Sequence, residues 1–347
     1  MSQKAEMNKV LATLAEAGAD LVKHQDIVRQ GTQLSLPERM DARDAIRILQ
    51  DHVEQQENYI QSMRTFEYLT DDGIVATHRV LERTFGTTGK PVGQRTMFGS
   101  TPPVTKEIPI SATETIQLPV QELSFPVLGD HASLYLYEPH RPTDCFKLGV
   151  HAPQGRAAEV EGLFRLIEHE LQTNSIYRGK AIAADGTFLD ITSLDPETVV
   201  YSTETMAQLD SNVWSALRDT DLLRELGLSV KRACLLHGPY GSGKTLAGLL
   251  TAQHAVENGW TFITAKAGVA DLNSVLETAR LYAPAVVFFE DVDTLSNPHS
   301  AGPDRVSQLL DTFDGLQAKG KEILAVLTTT IRRRSTVAWS ARVVSMR

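Results

Sequence analysis

Apolar residues recur along this chain in three different rhythms. From Met7, the positions Met7, Val10, Leu14, Ala17, Leu21 and Val28 step by threes and fours as far as Gly31, with His24 the one interruption, which predicts an amphipathic helix. A second stripe, Ile46, Leu49, Val53, Ile60 and Met63, follows Ser35 and Pro37, a capping hydroxyl and a first-turn proline, and is broken by Gln56. Residues 1–66 therefore read as a helical hairpin or as a coiled coil between subunits. Neither stripe reaches four clean heptads, so both readings stay open, the simpler helical cap being preferred.

The second rhythm is short and alternating. Asp71-Asp72-Gly73 reads as a turn, Ile74 to Phe85 as a helix ended by Gly86, and the Gly/Thr/Pro-rich stretch from Gly86 to Pro103 as a loop or linker. Glu107 to Ile110, Thr115 to Val120, Ser133 to Tyr137 and Cys145 to Val150 favour strands separated by turn chemistry, which predicts an antiparallel sheet. Val160, Leu163, Phe164, Ile167 and Leu171 share one face of a helix over 157–171, and strand character returns at Ala181-Ile182 and Phe188-Leu189 around Asp185-Gly186. The expectation is an α+β domain over 67–195.

The third rhythm is strand, then helix, repeated. One or two helices over Met206 to Leu226 lead to the strand Ala233-Cys234-Leu235-Leu236. Further strands are expected at Thr261 to Ala265, Ala285 to Phe289 and Ile323 to Thr328, with helices between them over 246–252, 271–279 and 305–316. Strands alternating with helices predict an α/β fold, a doubly wound parallel sheet, over 196–329.

Composition narrows the classes. The 347 residues are 42% hydrophobic and 22% charged, enough for two or three domains with proper cores, and the net charge of -9 lacks the basic footprint of a non-specific nucleic-acid binder. Nucleic acid is therefore an unlikely partner. Cys145 and Cys234 are far apart and have no metal-ligand spacing, and His131, His140, His151 and His169 have none either. No apolar run is long enough for a membrane span and no signal-peptide plan opens the sequence, so no membrane partner and a cytoplasmic location are expected.

Chemistry concentrates in Gly238-Pro239-Tyr240-Gly241-Ser242-Gly243-Lys244-Thr245, which fits G-x-x-x-x-G-K-[ST] between a predicted strand and the helix opening at Leu246. Glycines allow the loop to turn its N–H groups toward phosphate oxygens. The helix N-terminus adds positive dipole, Lys244 can reach the β/γ-phosphates, and the Thr245 hydroxyl can ligate Mg²⁺. A nucleoside triphosphate with Mg²⁺ is the implied ligand. Downstream, Glu290 and Asp291 leave a buried strand together, the placement needed for one carboxylate in a metal shell and one orienting water.

The order of the phosphate loop, Val286 to Asp293, Leu309-Leu310-Asp311-Thr312-Phe313-Asp314-Gly315-Leu316 and Ile323 to Thr329 resembles the AAA+ ATPases. Glu225-Leu226-Gly227-Leu228 and Cys234 to Pro239 are similar to that family as well. The resemblance covers 196–329 and not the first 195 residues. It implies ATP hydrolysis coupled to remodelling of a protein partner, with the residues up to 195 recognising that substrate or an adaptor, assembly into a ring, by family habit a hexamer, a metal-facing role for Glu290 and a water-poising role for Asp291. A nucleotide-binding regulatory or scaffold protein with little turnover is the alternative. The family's acidic pair is Asp then Glu. The inverted Glu290-Asp291 order is similar to the mitochondrial branch that moves folded Rieske protein. Lys266 to Ala270 lacks the aromatic pore-loop residue of peptide-threading members.

The resemblance stops at Thr329, where Thr330 stands in place of the sensor Asn. Read one nucleotide earlier under a permitted choice of codons, Thr330-Ile331-Arg332 becomes Asn-His-Pro. The stretch from Val337 to Arg347 then carries Met-Val-Arg-Pro-Gly-Arg-Leu-Asp-Ala, which looks like the family's arginine-finger segment. The expectation is an aberrant, out-of-frame and poorly packed tail over 330–347, the last core strand and lid missing, and a chain that binds ATP and turns it over slowly.

Overall fold

The computed structural model describes residues 28–30, 33–35, 43–48, 58–93, 95–96, 99–137, 145–228, 230, 232–266, 272–292, 322–330 and 342–346. The first predicted stripe, the predicted helix over 305–316 and the segment from 267 to 270 lie largely or wholly outside these. Strands β1 (Val28–Gln30) and β2 (Gln33–Ser35) form a small hairpin, with Val28 opposite Ser35, and a short helix spans 43–48.

The second stripe expected over 1–66 does not stay helical. Ile60 and Met63 lie on β3 (Tyr59–Leu69), an eleven-residue strand, so the boundary expected at 66/67 falls inside one element. Period two governs here: residues 60, 62, 64, 66 and 68 are more covered than 61, 63, 65 and 67, and Met63 is 56% exposed. Aromatic and β-branched residues at Tyr59, Ile60, Thr65, Phe66 and Tyr68 suit that pleat.

Helix α1 (Thr70–Phe85) follows at once and absorbs Asp71, Asp72 and Gly73, which are its first turns and not a separate turn. Both aspartates there complement the positive end of the helix. Gly86, at φ 68°, closes it with its N–H donating to the Glu82 carbonyl. The expected linker from Gly86 to Pro103 contains β4 (Lys90–Val92), β5 (Arg95–Thr96) and β6 (Gly99–Ser100). Next come the hairpin of β7 (Thr105–Pro109) and β8 (Thr115–Pro119), then β9 (Gln121–Ser124), β10 (Ser133–Tyr137) and β11 (Cys145–Pro153). Five of these strands form an antiparallel sheet in the order β3-β11-β10-β9-β4. Helix α2 (Ala157–Thr173) packs on its inner face, where the Phe66 ring meets Phe146 at 5.7 Å and Phe164 at 6.2 Å. The backbone of α1 also lies close to this sheet: a Cβ on Gly73 would stand 2.0 Å from the Phe146 ring.

The second sheet is parallel throughout. Its strands are β12 (Ala181–Ala183), β13 (Arg232–His237), β14 (Thr261–Lys266), β15 (Ala285–Glu290), β16 (Ile323–Thr329) and β17 (Arg342–Ser345), in the order β12-β14-β15-β16-β13-β17. The strand run at Ala181-Ile182, expected within the α+β region, is thus an edge of this sheet. Its neighbour segment returns antiparallel, Phe188 bridging to Ile182. The described residues of β15 and β16 up to Phe289 and Thr329 are buried without alternation, because helices or the first body cover both faces.

Helices α3 (Thr203–Leu209), α4 (Ser215–Arg218) and α5 (Thr220–Glu225), with a π turn over Asp210–Trp214, precede β13. Helix α6 (Lys244–Glu257) covers one face of the sheet, and α7 (Leu272–Leu281) leads to β15. On the α7 face, one continuous apolar cluster joins Val275, Leu276, Val287 and Leu327 to Phe66, Val75 and Leu134 of the antiparallel body.

The tail corrects an expectation. Residues 342–345 supply a last strand beside β13, Val344 and Met346 are buried, and the Met346 N–H donates to the His237 carbonyl at 2.7 Å. Alternation of small apolar residues in Val343-Val344-Ser345-Met346 is too short to register as a pattern; the open edge of β13 gives it a partner. Residues 331–341 lie outside the described residues.

Candidate functional site

The strand-loop-helix built by residues 232–257 holds the site. Cys234 and Leu236 anchor β13 in the core, and the Gly238 N–H donates to the Thr329 carbonyl at the end of β16. At Gly238 the backbone passes so close to its neighbours that a Cβ would stand 2.5 Å from Ser242 Oγ and 2.7 Å from the Met346 carbonyl oxygen. Gly241 (φ 79°) and Gly243 (φ 86°) take left-handed conformations that let the loop reverse and enter α6. No side chain caps α6 and no acidic residue sits in its first turn, so the N–H groups of Lys244, Thr245 and Leu246 are left without an intrahelical acceptor or a competing carboxylate.

Lys244 is 8% exposed, and its Nζ donates to the Gly238 carbonyl at 2.8 Å and the Pro239 carbonyl at 3.0 Å. Two of three ammonium protons are so placed, leaving one for an anion. Tyr240 is 85% exposed, with its ring centroid 5.7 Å from that Nζ. Thr245 is exposed on the first turn. Ser242 Oγ is buried without a hydrogen-bond partner, an orphaned hydroxyl inside the loop. The cradle fits phosphate oxygens, and an adjacent hydroxyl fits Mg²⁺.

Glu290 closes β15, two strands away from β13 in the order β15-β16-β13. Register puts Phe289 beside Leu327 and Leu327 beside Leu235, so the carboxyl ends of the three strands line one edge. Spacing of about 4.8 Å between neighbouring strands places the Glu290 backbone on the order of 10 Å from the start of the loop. Asp291 has φ 50°, a left-handed turn that Asp tolerates, and its N–H donates to Thr328 Oγ1 at 2.9 Å. The sheet therefore gathers the loop and the acidic pair at a shared edge. Among the described residues no group of three or more His, Cys, Asp or Glu could hold a metal by itself, so an ion here would rely on Thr245, one carboxylate and phosphate oxygens.

One residue at the loop gave no sequence signal. The Tyr201 hydroxyl donates to the Gly243 carbonyl at 2.7 Å, and a Cβ on Gly243 would stand 2.9 Å from the Tyr201 ring. Burial pushes this phenol up to about 12, so it remains a donor at neutral pH. The contact spans 42 positions and leaves no local trace. Nearby, Gln253 Nε2 bonds the Ile191 and Leu194 carbonyls, tying the segment before Tyr201 onto α6.

Residues 234–342 match the family described as "ATPase family associated with various cellular activities (AAA)". They are an AAA ATPase domain. A 152-residue stretch is 28% identical to the "ATPase family gene 2 protein" of Saccharomyces cerevisiae, covering 38% of this chain and 19% of the yeast protein. A katanin structure from work on its self-assembly is similar at 25% identity over 40% of this chain and 46% of that one, with a TM-score of 0.31. A FIGL-1 AAA domain is similar at 22% identity over 39% and 47%, with a TM-score of 0.32. The matched stretch begins inside β13 and ends at the first residue of β17, and the parallel α/β sheet is a P-loop NTPase core. Among the described residues no helix is long and apolar enough to cross a membrane.

Proposed function

We propose that the AAA domain binds ATP with Mg²⁺ through Gly238 to Leu246, hydrolyses it with the help of Glu290 and Asp291, and uses the cycle to remodel a protein partner held by the antiparallel body. The observation that carries the nucleotide part is the loop itself: three glycine-dependent backbone positions, the uncapped start of α6, the buried Lys244 and the unpartnered Ser242 Oγ converge on one anion-shaped cradle. Lys244 and the N–H groups would hold the phosphates, Thr245 and Glu290 the metal, and Asp291 a water. Bound Mg²⁺ supplies charge neutralisation at the phosphates.

Coupling to a partner is supported by how the two bodies join. The Leu69 N–H at the end of β3 donates to the Tyr282 hydroxyl just before β15, and Arg178 bonds the carbonyls of Leu281 and Ala283 in the same turn. These bonds would pass a movement of β15 to β3 and the start of α1. Assembly into a ring would complete the site from a neighbouring copy, and the absence of an aromatic residue in 266–270 favours a folded or assembled partner over a threaded one. Titration of a fluorescent ATP analogue into the wild-type chain and Lys244→Ala, with phosphate release measured for wild type, Glu290→Gln and Asp291→Asn, tests the reading. Equal affinities would remove the loop assignment; binding without measurable release would favour the regulatory alternative.

A further inference from the structure

A cavity of about 390 Å³ opens where the antiparallel body meets the edge of the parallel sheet, and it shares no residue with the phosphate loop. Its walls come from the turn between β7 and β8, the first turn of α1 and the turn after β12. The Tyr177 and Phe188 rings, stacked with centroids 5.3 Å apart, line it. Tyr177 is only 4% exposed and lines the cavity, and no hydrogen bond engages its hydroxyl among the described residues. Burial, and then the carboxylates of Asp71, Asp72 and Asp185, push this phenol far up, so it stays neutral.

Three carboxylates, Asp71, Glu114 and Asp185, stand on the walls. Asp71 is paired with Lys106 at 2.6 Å; Asp185 Oδ1 accepts the Thr187 N–H at 3.0 Å, and no ion pair reaches Asp185 or Glu114 among the described residues. A buried neutral phenol aimed at an aromatic-lined cavity with two unpaired carboxylates on its rim excludes an anion and leaves an apolar ligand with nothing to satisfy the oxygens. A flat cation answers both demands: it stacks on aromatic faces and offers several N–H groups to carboxylates and phenol oxygen together.

We propose that this cavity, built from the Tyr177–Phe188 stack with Asp185 and Glu114, is a recognition pocket for an arginine side chain of a protein partner. A primary ammonium is a poorer match, because its compact charge cannot stack and bridge two walls at once. The pocket gives the antiparallel body a sequence preference of its own, and its assignment does not depend on nucleotide turnover.

Calorimetric titration of the full chain with the peptide acetyl-Gly-Arg-Gly-amide, its citrulline counterpart and its lysine counterpart tests this. Citrulline keeps the shape and loses the charge. The arginine peptide should bind about tenfold or more tightly than either, and the double variant D185N/E114Q should lose about tenfold or more of that affinity. Both carboxylates are exposed, so the double variant keeps the fold. Tyr177→Phe should weaken binding severalfold, and phosphate release measured in parallel should be unchanged in all variants. Equal binding of the citrulline or lysine peptide, affinity unaltered in D185N/E114Q, or no binding heat at millimolar peptide would overturn the proposal.

Discussion

The Tyr201 hydroxyl and the Gly243 carbonyl are 2.7 Å apart, and this bond fastens a residue outside the phosphate-loop motif to the glycine on which the loop turns into α6. Removing the hydroxyl in Tyr201→Phe keeps the ring against Gly243 and deletes the bond alone. A neutral hydrogen bond of this kind contributes about 1 kcal/mol, so nucleotide affinity should fall about fivefold while the melting temperature changes little. Fluorescent-nucleotide titration with a parallel melt reads both; unaltered affinity would show that the loop holds its shape without Tyr201.

Gly248 sits where α6 crosses the sheet, and a Cβ there would stand 2.5 Å from the Phe288 ring. Gly248→Ala should destabilise the chain by roughly 1–3 kcal/mol through overpacking, outweighing the helix propensity it gains. Gly162 in α2 meets nothing within 4 Å. Gly162→Ala should instead stabilise by roughly 0.5–1 kcal/mol. Urea denaturation of both variants checks the contrast, and like signs for the two would refute the packing argument.

Asp72 is buried where α1 meets the Ser175–Ile176 segment. Burial raises its carboxyl from 3.8 to about 6, against the lowering effect of bonds from the Ser175 hydroxyl, the Ile176 N–H and Tyr282, and of the Arg79 charge. The folded protein holds this proton more tightly than the unfolded chain, so stability falls as pH rises from about 4 to about 6 and then levels, a loss of roughly 3 kcal/mol. Asp72→Asn removes the titration. Its stability relative to wild type should rise by that amount between pH 4 and pH 7, and a difference that stays constant with pH would disprove the burial argument.

Val344 is fully buried on β17. Val344→Asp places a carboxylate among Leu236 and its neighbours, at a cost of roughly 3 kcal/mol or more, and should also weaken nucleotide binding because β17 supports the loop strand. Melting and titration together read this. A loosely packed tail would tolerate the change without effect.

The sequence was most readable where a local rule suffices. The loop at 238–245 announces itself because glycine, lysine and hydroxyl must occupy fixed steps, and α2 does so because five apolar residues share a face over about three turns. Legibility failed where the partner is distant. The stripe through Ile60 and Met63 fits helical spacing, whereas a strand splits the two onto opposite faces, and the pairing of β3 with β11 is what imposes the strand. Likewise β12 is only three residues long, and its membership depends on Phe262 and its neighbours. Tyr201 and Val344 are ordinary in their own stretches, and acquire a role through Gly243 and the edge of β13 respectively.

That edge has a consequence for how the chain is made. Strand β17 leaves the ribosome about a hundred residues after the end of β13, and β16 comes not long before it. At synthesis rates of roughly 5–20 residues per second, the loop strand spends roughly 5–20 s with at least one side bare, and both sides bare until β16 is made, its unpaired N–H and C=O groups presented to any other extended segment in reach. The strand that leads into the anion cradle is thus flanked on both sides only after residues 342–345 are made. During that interval the nascent chain is open to wrong pairings that the finished sheet no longer permits, which makes the cell's handling of unfinished chains a determinant of how much nucleotide-competent protein accumulates.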